Sequence, residues 1–70
     1  MNNIFNKIYI TICNSNYNCM ENIIIEDCNE NDLSSIKSFL NYNEANLNII
    51  YTIGFNSKTK EIRINYKKVK

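Results

Sequence analysis

Apolar and polar residues alternate along much of this chain, and a period of two predicts half-buried strands. Ile8, Ile10 and Ile12 interleave with Tyr9, Thr11 and Cys13, so the spacing predicts a strand over residues 4–13. Asn14-Ser15-Asn16-Tyr17-Asn18 then reads as a turn, since Asn tolerates left-handed backbone where glycine is scarce. A second strand is predicted over residues 19–28, with Ile23 and Ile25 on one face and Ile24 on the other.

The period then lengthens. Asn29-Glu30-Asn31-Asp32 has the character of a helix entrance. Asn31 or Asp32 can cap free backbone amides, and the carboxylates suit the positive end of a helix dipole. Leu33, Ile36, Phe39 and Leu40 recur at three and four residues, which predicts a helix over residues 32–43 with one apolar stripe. From Leu47 the period is two again. Leu47, Ile49, Tyr51, Ile53 and Phe55 point one way, and Asn48, Ile50, Thr52, Gly54 and Asn56 the other. A polar loop, residues 56–60, leads to a last strand over 61–69 with Ile62, Ile64 and Tyr66 inward and Arg63, Asn65 and Lys67 outward.

The fold class this predicts is α+β, a single domain over residues 1–70. Its order is β-β-α-β-β, a two-layer arrangement of a four-stranded sheet with one helix packed on one face. That order is similar to the β-grasp fold of ubiquitin, in which the first and last strands lie side by side in the middle. The resemblance is one of element order alone. No family motif accompanies it, and the chain ends Lys67-Lys68-Val69-Lys70 in place of a Gly-Gly tail. It implies that the third strand lies at a sheet edge. A simple antiparallel meander with the helix on one face is the alternative.

Composition adds a source and little mechanism. Asn, Ile, Lys, Tyr and Phe fill 43 of the 70 positions, while Gly, Ala and Arg occur once each and Pro, His and Trp not at all. These are the residues of A/T-rich codons, as in a low-GC bacterium, its phage, or an A/T-rich eukaryote or virus. Residues 8–20, thirteen without charge and carrying Asn14, Asn16 and Asn18, fall short of the roughly 20 apolar residues a membrane span needs. The first residues lack the pattern of a signal peptide, so the expected compartment is the cytoplasm and no membrane partner is expected.

The same composition argues against catalysis. Without His, the usual general base and imidazole metal ligand are missing. One glycine cannot build a phosphate loop. Cys13, Cys19 and Cys28 lack the close pair of a zinc site, and an odd number does not make a disulfide framework. Glu26, Asp27, Glu30 and Asp32 lack the oxygen spacing of a calcium loop. The expectation is no enzyme, with no catalytic, cofactor or metal residues and no small-molecule substrate.

Charge layout and one strand remain. Residues 20–44 hold six carboxylates against Lys37 alone, net −5, and residues 45–70 hold six cations against Glu61 alone, net +5. Residues 46–57 carry no charge and no Pro, which leaves an edge strand unguarded against pairing with itself or with another protein. Tyr9, Thr11, Ile24, Asn48, Ile50 and Thr52 are its expected contact residues, forming an exposed face with that strand. The function expected is a small protein-binding module or self-associating domain, of the kind that phage or mobile elements use to block a host enzyme. The alternative is weak nucleic-acid binding through Lys58, Lys60, Arg63, Lys67, Lys68 and Lys70, with Tyr9 or Tyr66 stacking a base.

Overall fold

The computed structural model of the protein describes residues 2–69. Their order is α1 (Asn2–Cys13), β1 (Met20–Ile25), α2 (Glu30–Leu47), β2 (Ile49–Asn56) and β3 (Glu61–Lys68). The strands form one antiparallel sheet in the order β1-β3-β2, so the last strand is central and β1 and β2 are the edges. The class is α+β, as the sequence predicts. The architecture differs: two helices cover a three-stranded sheet, where one helix on four strands was expected, and the β-grasp order does not apply.

The difference comes from residues 4–13, which form helix and not strand. Ile8 and Ile12 are four apart, a spacing that is both even and one helical turn, so the two periods share their strongest residues. Ile10 separates the two periods. It is 58% exposed, while Ile8 and Ile12 are 1% and 0% exposed. Thr11, whose side chain favours strands, instead bonds back along the helix, its Oγ1 donating to the Lys7 carbonyl at 2.7 Å, and just past the helix end Ser15 Oγ donates to the Thr11 carbonyl at 2.8 Å. Packing supplies what local propensity lacks. Phe5 stacks on Phe39 of α2, with centroids 4.7 Å apart and planes 3° from parallel.

Helix α2 begins at a capping box. Asp32 N–H donates to Asn29 Oδ1 at 3.0 Å, and Asn29 N–H donates to Asp32 Oδ2 at 2.9 Å. The cap is therefore Asn29, in place of the expected Asn31 or Asp32, and Asp32 serves as its partner in the box. The helix also runs on to Leu47, which it turns into the core, and ends where Asn48 takes left-handed backbone at φ 55 and ψ 51. Its expected stripe holds, with Ile36 and Leu40 buried and Leu33 and Phe39 packed against them.

Helices α1 and α2 share one face of the sheet, above Ile62, Ile64 and Tyr66, each at most 1% exposed. Burying each such isoleucine contributes about 1.5–3 kcal/mol. One stripe on α2 could not cover both edges, and Ile8 and Ile12 of α1 complete the layer. The α1 end is held by β3. Lys68 Nζ donates to the Cys13 carbonyl at 2.7 Å and the Ser15 carbonyl at 3.4 Å, and lies 4.7 Å from the centroid of the Tyr17 ring. The helix has no basic residue in its own last turn, so Lys68 provides the cation that its negative end favours. The Ser15 hydroxyl also bonds the buried Tyr66 hydroxyl.

Candidate interaction face

Among the described residues no helix lies over the sheet's second face. Strand register arranges it in rows that each cross three strands. Met20, Lys67 and Ile50 form the first row; Asn22, Asn65 and Thr52 the second; Ile24, Arg63 and Gly54 the third. Met20 is 69% exposed, Ile50 60% and Ile24 45%. In each outer row a cation on the central strand stands between its two neighbours, and an amide and hydroxyl row separates the two. Lys67 is half-buried between Met20 and Ile50, an arrangement in which a lysine stem can cover apolar neighbours while its charge stays in water. Successive same-face residues are about 6.6 Å apart, which sets Lys67 and Arg63 at about 13 Å.

Two shallow hollows mark these rows. One of about 320 Å³ lies by Met20, Ile50, Thr52 and Lys67, and one of about 400 Å³ by Ile24, Gly54, Glu61 and Arg63. Gly54 sits in a strand with negative φ, and a Cβ added there would meet nothing within 4 Å. The glycine leaves the third row open at its β2 end.

The structure gathers some of the expected contact residues and separates others. Ile24, Ile50 and Thr52 share the outer face, as the alternation requires. Tyr9 and Thr11 do not join that face, because their segment is α1 and packs on the opposite side of the sheet; Thr11 meets Ile24 only across a hollow of about 370 Å³ at the β1 edge. Asn48 is the C-cap of α2, its N–H donating to the Glu44 carbonyl, and lies before β2 begins. Met20 was missed, although counting back by two from Ile24 reaches it. Arg63 and Lys67, expected to serve nucleic acid, stand among the apolar residues expected to serve protein.

The remaining basic residues disperse. Lys58 and Lys60 sit in the β2–β3 turn, Lys60 with left-handed backbone at φ 59. Lys68 is engaged at the α1 end. Lys70 lies outside the described residues. Of the two rings considered for stacking, Tyr66 is buried at 1% exposure and Tyr9 is on α1.

The reactive groups are equally scattered. Cys28 is buried, and burial first, then Asp32 and Asp27, push its thiol pKa up, which keeps it protonated and inert near neutrality. Cys13 and Cys19 are exposed free thiols. Among the described residues no cluster of three or more His, Cys, Asp or Glu side chains is placed to hold a metal ion, and no helix is long and apolar enough to cross a membrane. Compared with models of known protein families, with curated proteins and with solved structures, the chain matches none.

Proposed function

We propose that this protein is a non-catalytic contact module whose outer sheet face receives another protein. The observation that supports the reading is the pair of cation-centred rows, Met20–Lys67–Ile50 and Ile24–Arg63–Gly54. An apolar patch alone would accept many surfaces. A cation set beside exposed apolar side chains selects a partner that offers a carboxylate next to apolar residues, which gives orientation as well as burial. An inhibitor or adaptor needs only such a face, in keeping with a single small domain. The nucleic-acid reading would use the same Arg63 and Lys67, but no aromatic residue occurs in the three rows to stack a base.

Affinity capture with three variants tests this. Ile50→Glu and Lys67→Glu alter the outer face, while Ser38→Glu alters exposed α2 on the other side. The expected result is a partner retained by the unaltered protein and by Ser38→Glu and lost by both outer-face variants. Its affinity, measured with the purified partner, should fall at least about tenfold in each. The same captured proteins in all four samples would refute the reading. Salt-sensitive binding of oligonucleotides that disappears only in Lys67→Glu would transfer the face to nucleic acid.

A further inference from the structure

Strand β2 offers a second surface, independent of the outer face. It pairs with β3 alone among the described residues, so its other side is a free edge, and Ile49–Asn56 carries no charge. Val69 N–H donates to the Asn48 carbonyl at 2.7 Å. Since hydrogen-bonding direction alternates along an antiparallel strand, Ile50, Thr52, Gly54 and Asn56 direct their backbone groups to β3. Ile49, Tyr51, Ile53 and Phe55 therefore present their N–H and C=O groups at the free edge.

We infer that this edge pairs antiparallel with β2 of a second copy of the chain, about a two-fold axis through Thr52, to make a six-stranded sheet. In that register Ile49 meets Phe55 of the other copy and Tyr51 meets Ile53. All four edge residues of each copy are satisfied, with about eight hydrogen bonds in total. Both inner-face pairs join an aromatic to a β-branched residue, a favourable cross-strand combination. On the outer face Thr52 meets Thr52, and Ile50 lies over Gly54, whose Cβ position is open. No like charges oppose one another in the paired strands.

The helices agree with the same axis. Tyr51 Oη donates to Asn41 Oδ1, and Glu44 is close enough to Tyr51 to raise its pKa, a smaller effect than burial. Asn41 and Glu44 thus lie on the α2 flank towards the free edge, opposite the Phe39 flank that meets α1. Lys37 is four residues before Asn41 and seven before Glu44, so it shares their flank. The axis sets the two α2 flanks antiparallel, so that Lys37 of each copy faces Glu44 of the other. Tyr51, Ile53 and Phe55 are only half-buried beside α2, while Ile62, Ile64 and Tyr66 on the neighbouring strand are covered, so the inner side of β2 still has apolar surface to bury.

Sedimentation equilibrium and cysteine cross-linking test the pairing. The mass should rise from 8.3 kDa towards twice that value with concentration. In a Cys13→Ser, Cys19→Ser background, Thr52→Cys places two thiols about 5 Å apart across the axis and should give a covalent dimer on oxidation. Ile50→Cys is the control, because each copy's position 50 lies about 13 Å along the strand from its twin and should cross-link at least about tenfold less. Both positions are exposed, so the variants should melt as their parent does. Lys37→Glu should raise the dissociation constant about 3- to 10-fold, and adding Glu44→Lys should restore it. A mass that stays at the monomer value, or equal cross-linking at positions 50 and 52, would overturn the inference. Neither result would bear on the outer face, since Lys67→Glu tests it on β3, outside the paired strands.

Discussion

Strand β3 has two faces, and they have opposite fates. Ile62, Ile64 and Tyr66 lie under two helices and are at most 1% exposed, while Arg63, Asn65 and Lys67, one residue away in each case, face outward. Even the neighbours Lys67 and Lys68 divide in this way. Lys68 points inward and closes the end of α1, and Lys67 stands between Met20 and Ile50 on the open side. The difference teaches which residues folding constrains. A domain of 70 residues has about 4–10 kcal/mol of net stability, so its inner face has little slack, while its outer face is not held by the core.

The largest test of that contrast is a pair of truncations. Ile64→Ala opens a cavity in the middle of the covered layer and should cost about 3 kcal/mol, a large part of the whole margin. Ile50→Ala, on the outer face, should change stability by less than about 0.5 kcal/mol. Urea denaturation of both variants measures the two effects. Equal losses would mean that the outer face is covered as well.

The adjacent lysines give a smaller and sharper comparison. Lys68→Ala removes a charge-assisted bond to the Cys13 carbonyl and the cation at a helix C-terminus, and should destabilise by about 1–2 kcal/mol. Lys67→Ala should leave the denaturation midpoint within about 0.5 kcal/mol of the parent. The Lys68 loss should also appear as faster amide exchange in the last turn of α1, leaving the α2 amides unchanged.

These cases also separate what the sequence displays from what it hides. The α2 stripe is plain because Leu33, Ile36 and Leu40 fit a helix and cannot lie on one face of a strand. Strands β2 and β3 are plain because their alternation runs over eight residues each. Helix α1 is hidden because Ile8 and Ile12 satisfy both periods and Ile10 completes the wrong one. Its loss takes Tyr9 and Thr11 from the candidate face, although Ile24, Ile50 and Thr52 remain together. The role of Lys68 is hidden for another reason: its acceptors lie 55 and 53 residues earlier in the chain, beyond any local pattern. The capping box of α2 was readable as Asn29 with Asp32 three residues on, but Asn31 offered a competing start.

Turn residues probe the boundary between the layers. Asn18 and Asn48 take left-handed backbone, as Asn is suited to do, and Asp27 and Lys60 take it as well. Lys60 closes the β2–β3 turn by donating its N–H to the Asn56 carbonyl at 2.8 Å, and its side chain is exposed. Lys60→Gly keeps that bond and removes the steric cost of a Cβ at φ 59, so it should stabilise the fold by about 1 kcal/mol. The same change at Lys58, which has no positive φ, should give no gain. Thermal melting separates the two.

The smallest effect concerns the thiols, which the fold sorts by depth. Cys13 and Cys19 are exposed and should react with a thiol reagent in the native protein, while Cys28 should wait for opening. Burial, then Asp32 and Asp27, raise the Cys28 pKa above its ordinary 9.0. The native state therefore holds this proton more tightly than the unfolded chain. Its contribution to stability is complete below the unfolded value and is lost as pH rises through the raised one. Stability should consequently decline from about pH 9 upward, and Cys28→Ala should remove that part of the slope. Tyr51, raised by burial and then by Glu44 from 10.0, has the same sign at higher pH, so a decline above pH 10 should persist in Cys28→Ala. It should weaken further in Tyr51→Phe. If Cys28→Ala followed the parent slope between pH 9 and 10, the thiol would not belong to the covered layer, and the division between the two faces would end short of the β1–α2 connection.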